Sequence, residues 1–391
     1  MSASRVILCL NSGSSSRKFA LYEIGDRGET LIAEGVADKI GLSGGRLVIR
    51  AGDGQVLVDE ERSFQNAAHA TDTTLKRIAE LKLPHPEACG HRIVHGGADH
   101  IAPERVTPAL IASLYQLIPF APLHMPSALD AIETVSARFP EMPQVACFDT
   151  SFHRAMPELA QRFALPRAFY DAGIRRYGFH GISYEYVMST LGASPPARII
   201  IAHLGNGASM VAVRDGRSID TTMGFTPAGG FMMGTRSGDL DPGILVYLIK
   251  EKDYDAERID RLVNRESGLS GVSGLTSDMK TLLEKRNSDA SAREAIAMFC
   301  YQLSKSIGAL CVALGGLDLL VFTGGIGEKS AEIRAEVLAP LANLGIQVDP
   351  ERNRTHAATI SSADSRCLVR VIPTNEDLMI ARHTNRLLFG R

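Results

Sequence analysis

The chain has 391 residues, of which 45% are hydrophobic, and its 42 Lys and Arg against 44 Asp and Glu give a formal net charge of −2. A chain of this length usually divides its hydrophobic core between two domains. A net charge so close to zero supplies no field that would draw the protein to nucleic acid or anionic lipid, so any anion-binding site must be local.

Short apolar runs bounded by turn residues predict strands, and runs with an apolar residue every three or four positions predict helices. Strands are expected over 5–10, 18–23, 46–50, 55–59, 144–148, 198–202, 318–322 and 368–372, and helices over 127–138, 292–313, 331–341 and 376–388. Pro126 suits a first helical turn, and Thr374 or Asn375 could cap the last helix. The predicted fold class is α/β.

Two properties bear on the cellular compartment. The scattered cysteines form no CxxC pair and are expected to be buried thiols rather than metal ligands or disulfides. No basic N-terminal segment precedes a long apolar stretch, and no apolar run approaches the roughly 18 residues that cross a bilayer. We therefore expect a cytoplasmic protein without a membrane partner. The cysteines are Cys9, Cys89, Cys147, Cys300, Cys311 and Cys367.

The first predicted hairpin turns through NSGSSS, which includes Asn11, Ser14 and Ser16, and Lys18 follows it. Backbone N–H groups and hydroxyls concentrated in a few residues can surround a phosphate, and the lysine adds a point charge. An ordinary polar turn would have the same composition. The segment is therefore a candidate phosphate-binding turn, and an ordinary polar turn is the alternative.

Two arginines lie in glycine-rich surroundings. Arg92 lies in GHRIVHGG, and Arg236 lies in MGTRSGDLDPG, just before a predicted helix. A planar guanidinium grips carboxylate and phosphate with two hydrogen bonds, which suits a site where two anions must meet. The alternative is that each arginine forms only a surface salt bridge.

Four histidines stand beside Gly or Pro at the ends of predicted elements: His91, His95, His124 in PLHMP and His180 in YGFHG. A histidine can donate a hydrogen bond to a phosphoryl oxygen and, when charged, can help to neutralise a transition state. Each could equally be a structural histidine. Metal ligation is less favoured, because no pair has HxxxH spacing.

Two acids are placed at strand ends, where ligands collect in α/β sheets. Asp149 follows the strand QVACF, and Glu376 follows the strand LVRVI within PTNED. Mg²⁺ prefers one or two carboxylates plus water, so the pair could hold a nucleotide-bound magnesium. For Glu376, a charge at the start of a helix is the competing explanation.

Two later loops also follow strands: HLGNGAS over 203–209 and TGGIG over 323–327. The second precedes a helical stretch, where the partial positive charge of a helix N-terminus favours phosphate. Neither loop has the GxxxxGK[ST] of a P-loop or the spacing of a dinucleotide fingerprint. The sequence from Ile199, IIIAHLGNGASMVAVRDG, echoes that from Val6, VILCLNSGSSSRKFALYE, which indicates a duplicated domain with its boundary near residue 150.

Together, NSGSSSRK, GHRIVHGG, APLHMP, FDTSFH, RYGFHGIS, HLGNGAS, GFTP, MGTRSGDLDPG, FTGGIGE and PTNE resemble, in order and over nearly the whole chain, the acetate kinase family, which includes propionate and butyrate kinases. The resemblance implies two duplicated RNase H-like domains, as in sugar kinases, Hsp70 and actin, which close over ATP in an interdomain active-site cleft. The implied domains are 1–149, with a C-terminal helix over 380–391 packing back on it, and 150–379. A homodimer is also implied.

The resemblance further implies roles for individual residues. Arg92 and Arg236 would bind the acyl and phosphoryl groups, and His180 and Arg236 would stabilise the transition state. Asn11, Asp149 and Glu376 would organise magnesium or manganese and its waters, and His124 would support them. Val94, Leu123, Phe179 and Pro227 would line the pocket for the acceptor's methyl group. The residues implied for ATP or ADP are Lys18, Ser14, Ser16, His203, Gly205, Asn206, Gly207, Asp278, Met279, Lys280, Gly325, Ile326 and Gly327.

Three departures from the family pattern concern mainly the nucleotide. Met125 replaces the asparagine usual in PLHNP, Met279 and Lys280 replace Phe-Arg, and Lys329 replaces the asparagine usual after GIGE. The adenine end could bind less tightly or accept another purine or phosphate donor. The residues implied in the transfer all match.

The expected reaction is direct in-line attack by the acetate carboxylate on the γ-phosphorus of ATP, without a covalent enzyme intermediate or a general base. One alternative is transfer to propionate or butyrate. Others are an ATP-switched binding protein on the same scaffold, or a sugar kinase in which Asp149 would act as the base. No nucleic-acid partner is expected.

Overall fold

A computed structural model describes residues 4–13, 16–26 and 28–390. Their strands, in chain order, are β1 (Arg5–Ser12), β2 (Arg17–Gly25), β3 (Gly28–Asp38), β4 (Arg46–Ala51), β5 (Val56–Glu61), β6 (Ala88–Ile93), β7 (Glu104–Arg105), β8 (Gln144–Phe148), β9 (Arg198–Leu204), β10 (Ala208–Arg214), β11 (Arg217–Thr221), β12 (Leu319–Thr323) and β13 (Leu368–Val371).

The helices of the same residues are α1 (Ala67–Glu80), α2 (Pro108–Gln116), α3 (Met125–Arg138), α4 (Glu158–Gln161), α5 (Arg167–Asp171), α6 (Gly181–Leu191), α7 (Pro242–Glu251), α8 (Ala256–Arg265), α9 (Gly268–Ser273), α10 (Met279–Lys285), α11 (Ala290–Leu314), α12 (Gly324–Lys329), α13 (Ala331–Leu338), α14 (Pro350–Arg354) and α15 (Glu376–Phe389). Short 3-10 helices cover Ile118–Phe120, Ser151–Ala155 and Ala339–Leu344.

The chain forms two compact units. The first contains Met1–Ser151, Gly181–Tyr186 and Asn375–Arg391, and the second contains Phe152–His180 and Val187–Thr374. The sequence predicted a boundary after residue 149 and a return of the chain at 380. The return begins at Asn375, because the first turn of α15 also belongs to the first unit. The short segment Gly181–Tyr186 lies in the first unit, although it was expected in the second.

The first unit is built on a sheet in the order β5-β4-β3-β2-β1-β6-β8-β7. β1 is antiparallel to β2 and parallel to β6, and β6 is parallel to β8. Alternate residues of β1 point to opposite faces of the sheet. Leu8 and Leu10 join a buried cluster with α1 and α3, whereas Ile7 and Cys9 join a second cluster with α15.

The second unit is built on a sheet in the order β11-β10-β9-β12-β13. β9 is antiparallel to β10 and parallel to β12, which is parallel to β13. β9 and β12 are almost wholly buried, as expected for strands covered on both faces.

The two sheets share one strand order. β3-β2-β1-β6-β8 in the first unit corresponds to β11-β10-β9-β12-β13 in the second, with the same parallel and antiparallel pairings at the first strand. The two hairpins that echo each other in sequence are β1–β2 and β9–β10. The predicted α/β class with two RNase H-like sheets is confirmed.

The eight predicted strands and four predicted helices are present, with ends that differ by a few residues. Pro126 lies in the first turn of α3, and Asn375 caps α15 by accepting a hydrogen bond from the backbone N–H of Leu378 at 2.9 Å. Among the free cysteines, Cys311 is half-buried and the others are buried, as expected apart from Cys311.

Helix α11 has 25 residues and contains an 18-residue window with a mean hydropathy of 1.4, so by length and composition alone it could cross a membrane. The sequence predicts a helix over 292–313 here, but no membrane span. In the structure one face of α11 packs against β9, β10 and β11. Its buried residues, such as Ile296, Phe299, Leu303 and Ile307, recur every three or four positions, as in the core helix of a globular domain.

Candidate functional site

In the first unit, three neighbouring parallel strands end in polar residues that contact one another. Asn11 lies near the end of β1, Arg92 near the end of β6, and Asp149 directly after β8. Arg92 donates from Nε to both Asp149 oxygens at 3.0 Å and from Nη2 to Oδ2 at 2.6 Å. Its Nη1 donates to Oδ1 of Asn11 at 3.0 Å. From the strand ends the sequence predicted only that Asp149 and Glu376 reach one cleft, and the resemblance alone added Asn11 to these two acids.

Glu376, in the first turn of α15, completes this group, which we call the Arg92 cluster (Asn11, Arg92, Asp149 and Glu376). Its Oε2 accepts a hydrogen bond from Nδ2 of Asn11 at 3.0 Å and lies 3.6 Å from Nη1 of Arg92. Because Asn375 already caps α15 through its side chain, the carboxylate of Glu376 is used in the cluster rather than as the cap.

Burial and neighbouring charges shift the pKa values of Arg92 and Asp149 in opposite directions. Burial opposes the charge on Arg92, but the carboxylates of Asp149 and Glu376 outweigh it and raise the pKa of Arg92. Burial raises the pKa of Asp149, which is 1% exposed, and the Arg92 guanidinium counteracts that rise. The guanidinium is therefore charged, and its bidentate bond fixes the side chain in the sheet.

The donor set of this cluster fits magnesium. The described residues contain no group of three or more His, Cys, Asp or Glu that could enclose a metal. Mg²⁺ does not need such a group, because it usually binds through one or two carboxylates and keeps several waters. Asp149 and Glu376 supply two carboxylates, and together with Arg92 they leave a net negative charge that a divalent cation would balance.

Several other candidate site residues of the first unit lie close to Asn11 or Arg92 in the sequence. Lys18 is exposed and is paired with Asn11 in the register of β1 and β2. The carbonyl of Ser16 accepts a hydrogen bond from Gly13 at 2.8 Å, and Ser14 lies outside the described residues. His91 and His95 are buried.

Two residues of this unit were predicted to line the pocket for the methyl group of the acid. Val94 is buried, and Leu123 is half-buried. His124 precedes α3 at the N-cap position. Met125, one of the departures, is fully buried and is therefore part of the core.

In the second unit, His180 and His203 stack face to face, with ring centroids 4.3 Å apart and an interplanar angle of 17°. Nδ1 of His180 is 2.8 Å from Oγ of Ser209. Ser209 lies opposite His203 in the register of β9 and β10, so the hairpin sets the position of both partners of His180. His203 was predicted as a site residue, whereas Ser209 was predicted only as the last residue of the HLGNGAS segment, with no role of its own.

Arg236 lies in the loop that precedes α7. Its Nη1 donates to the carbonyl of Pro227 at 3.3 Å and lies 3.9 Å from Sδ of Met233. A Cβ at Gly207 would lie 3.3 Å from that Nη1 and 3.6 Å from Nε2 of His180. Arg236 and His180 therefore approach the same bare stretch of backbone, in the HLGNGAS turn.

A cavity of about 780 Å³ lies beside this turn in the second unit. Seven of the ten residues that were predicted for the nucleotide in this unit line it, whereas His203, Gly207 and Gly327 do not. Lys329, another departure, also lines it. Asp278 accepts from the backbone N–H and the hydroxyl of Thr281 at 2.9 and 2.6 Å, which lowers its pKa. The predicted lining residues are Gly205, Asn206, Asp278, Met279, Lys280, Gly325 and Ile326.

The TGGIG segment, expected as a loop, is the first part of α12. Gly324 has φ +77°, a left-handed conformation that favours glycine, and the chain is helical from this residue onward. Oε1 of Glu328 accepts from the backbone N–H of Gly324 at 2.9 Å, and Arg334 donates to the carbonyls of Gly327 and Glu328 at 2.8 and 2.9 Å. Both ends of α12 are thus held by side chains that the sequence analysis did not select.

Comparison with known proteins decides the family. A sequence model described as the Acetokinase family matches residues 6–382. The chain belongs to this family. It is 47% identical to an acetate kinase of Rhodopseudomonas palustris (strain ATCC BAA-98 / CGA009) over 99% of both chains.

Two solved structures agree with this assignment. A Porphyromonas gingivalis acetate kinase is 38% identical, with a TM-score of 0.87, over 98% of this chain and 100% of that one. A propionate kinase from Francisella tularensis subsp. tularensis SCHU S4 is 36% identical, with a TM-score of 0.92, over 98% and 99%. The resemblance found in the sequence motifs is confirmed for the family as a whole.

Proposed function

We propose that the protein is an acetate kinase, which transfers the γ-phosphoryl group of ATP reversibly to acetate and forms acetyl phosphate and ADP. The Arg92 cluster is the observation that carries this proposal. A fixed guanidinium can receive a small carboxylate, and its two acidic neighbours can receive a hydrated cation. Membership of the acetokinase family supports the same reaction.

The acceptor acid would bind through Arg92. Without a metal, Asp149 and Glu376 give the cluster a negative charge that would repel acetate. Magnesium or manganese held by Asp149 and Glu376, with Asn11 and waters, would reverse that sign and help to neutralise the phosphate charge. Val94, Leu123, Phe179 and Pro227 would contact the methyl group of the acid.

ATP would bind to the second unit. The cavity lined by Asp278, Met279 and Ile326 would take the nucleoside, and α12 and the HLGNGAS turn would present backbone N–H groups to the phosphates. Arg236 and His180 would donate hydrogen bonds to the oxygens of the transferred group. In the first unit, Lys18, Ser14 and Ser16 would add polar contacts, and His124 would support the Arg92 cluster.

The transfer would be a direct in-line displacement. Acetate is ionised at neutral pH, so no general base is needed, and the acid's oxygen attacks phosphorus while ADP leaves. The chain's own residues would position the two anions and neutralise the equatorial oxygens. Because the residues need only position the two anions and neutralise charge, the proposed catalytic groups include two arginines but no nucleophile and no base.

Propionate is the second candidate acceptor, favoured by the likeness to the Francisella propionate kinase. One methylene in an apolar pocket is worth only about 1–3 kcal/mol, so small changes in the pocket can reverse the preference. Val94, which is 6% exposed, favours the two-carbon acid by limiting the space.

We also propose a cytoplasmic homodimer. Helix α7 supports it, because this segment, PGILVYLIKE, has no buried residue in the single chain. Ile244, Val246, Tyr247 and Ile249 are each 46–53% exposed. An exposed apolar surface of this kind is typical of a protein–protein interface.

The test measures kcat/KM for acetate, propionate and butyrate with ATP·Mg²⁺, with acyl phosphate trapped as the hydroxamate. A preference for acetate that is lost in Arg92→Ala supports the proposal. A preference for propionate or butyrate would keep the mechanism and replace the acceptor. Absence of acyl phosphate with all three acids would contradict the proposed function.

A further inference from the structure

His153 is a buried histidine of the second unit that the proposed reaction does not use. It lies in the 3-10 helix Ser151–Ala155 and is 3% exposed. Its Nε2 is 3.1 Å from the carbonyl oxygen of Phe179, and its Nδ1 is 3.0 Å from Oγ of Ser218 in β11. The ring thus connects β11 to the residue that directly precedes His180.

These partners assign the tautomer of His153. A carbonyl oxygen only accepts, so Nε2 carries the hydrogen and donates it to Phe179. Nδ1 of the neutral ring then accepts from the hydroxyl of Ser218. Burial lowers the pKa of His153 to about 4, which keeps the ring neutral at physiological pH and preserves this arrangement.

The segment that His153 contacts has an unusual backbone. His180 has φ +58° and Gly178 has φ +73°, both in the left-handed region, which a residue with a side chain adopts at a cost. A Cβ at Gly178 would lie 2.6 Å from the His153 ring. Glycine at 178 therefore lets the ring pack directly on the backbone before His180, and the hydrogen bond to Phe179 holds the next peptide.

We propose that His153 is a positioning residue for His180. The bond from Nε2 fixes the orientation of the Phe179–His180 peptide and with it the Cα of His180, while Ser209 fixes the ring at its other end. Ser218 sets the rotation of the His153 ring. This inference rests on the proposed function, in which His180 stabilises the transition state, and His153 itself contacts no substrate.

The test compares variants that remove or retain the donor. His153→Leu removes the N–H, whereas the amide of His153→Gln can still donate to Phe179. Misplacing a catalytic group by about 1 Å can cost roughly 100-fold in rate. We therefore expect His153→Leu to lower kcat about 100-fold with the KM for ATP and acetate nearly unchanged, and His153→Gln to recover at least tenfold. Ser218→Ala should lower kcat severalfold. It provides the test of the inference if His153→Leu does not fold.

A double-mutant cycle separates this inference from the function on which it rests. If His153 acts through His180, His153→Leu should have little further effect on kcat in a His180→Ala background. Equal losses of kcat from His153→Leu in both backgrounds, or full activity of Ser218→Ala and His153→Leu, would overturn the positioning role. Unchanged kcat in His180→Ala alone would instead remove His180 from the proposed mechanism.

Discussion

The two units share a strand order but carry different chemistry at the ends of their parallel strands. In the first unit the ends of β1, β6 and β8 bring a guanidinium and carboxylates into direct contact. In the second unit His203 lies near the end of β9 and a glycine turn follows the strand, while β12 is followed by the glycine-rich start of α12. The same strand order thus carries an ion-paired cluster in the first unit, and glycine-rich backbone beside two histidines in the second.

This difference shows how a repeated fold can serve two unlike substrates. A small carboxylate and a hydrated cation need fixed charges, whereas a nucleotide needs space and N–H donors. Arg236 donates to the carbonyl of Pro227, and Arg92 donates to a buried carboxylate and an amide. Replacing Arg92 should therefore affect stability as well as activity.

The largest expected effect is on catalysis in Arg236→Ala. An arginine that stabilises the charge of a phosphoryl transition state contributes roughly 10³ to 10⁵ in rate. We expect kcat to fall by at least about 10³, measured by hydroxamate trapping, while Arg265→Ala, at an exposed position of α8, retains full activity. A change confined to KM would contradict the proposed role of Arg236.

Arg92→Ala should lose stability as well as activity. Removing one partner of a buried ion pair leaves an uncompensated charge, here on Asp149, and costs about 3 kcal/mol. We expect a lower free energy of unfolding in urea than for the unsubstituted protein. Adding Asp149→Asn should recover part of the loss, because the orphaned charge is removed. An unchanged free energy of unfolding in Arg92→Ala would contradict the contribution of the Arg92–Asp149 ion pair to stability.

Acid should destabilise the protein in part through His91 in the first unit. Burial lowers the pKa of His91 to about 4, whereas the ordinary value is near 6.5. Between these values the unfolded chain binds one more proton, so stability falls as the pH decreases, by about 1.4 kcal/mol per pH unit. His91→Gln should reduce the slope of unfolding free energy against pH by that amount. An unchanged slope in His91→Gln would contradict this contribution of His91.

The smallest expected effect tests the hairpin of the second unit. Ser209→Ala removes the hydroxyl 2.8 Å from Nδ1 of His180, and losing one hydrogen bond costs about 1 kcal/mol. We expect kcat to fall severalfold with the KM for ATP unchanged, and Ser194→Ala, at an exposed site, to have no effect. A rise in KM for ATP without loss of kcat would place Ser209 in nucleotide binding instead.

The long buried strands and their polar ends could be predicted because each combines a strong apolar run with a turn. β3 could not, since Gly35 interrupts its pattern; a Cβ there would lie 2.4 Å from the carbonyl of Val48 and 2.5 Å from the Phe19 ring. α1 was missed because Ala70, Thr71 and Thr74 give its buried face little hydrophobic periodicity. The contact of His180 with Ser209 joins residues that are 29 positions apart in the chain, which no local pattern reveals.

Helix α15 has a consequence for biosynthesis. Its Met379, Ile380 and Ala381 complete one of the two hydrophobic clusters of the first unit, and Gly90 of β6 leaves room for it beside Ile380 and Thr384. Domains generally fold in order as the chain emerges from the ribosome. Here the strands of the first unit lie within residues 5–148, and one face of their sheet is covered only after residues 376–389 have been translated. Until then an apolar sheet face stays open, and the Arg92 cluster forms only when Glu376 arrives.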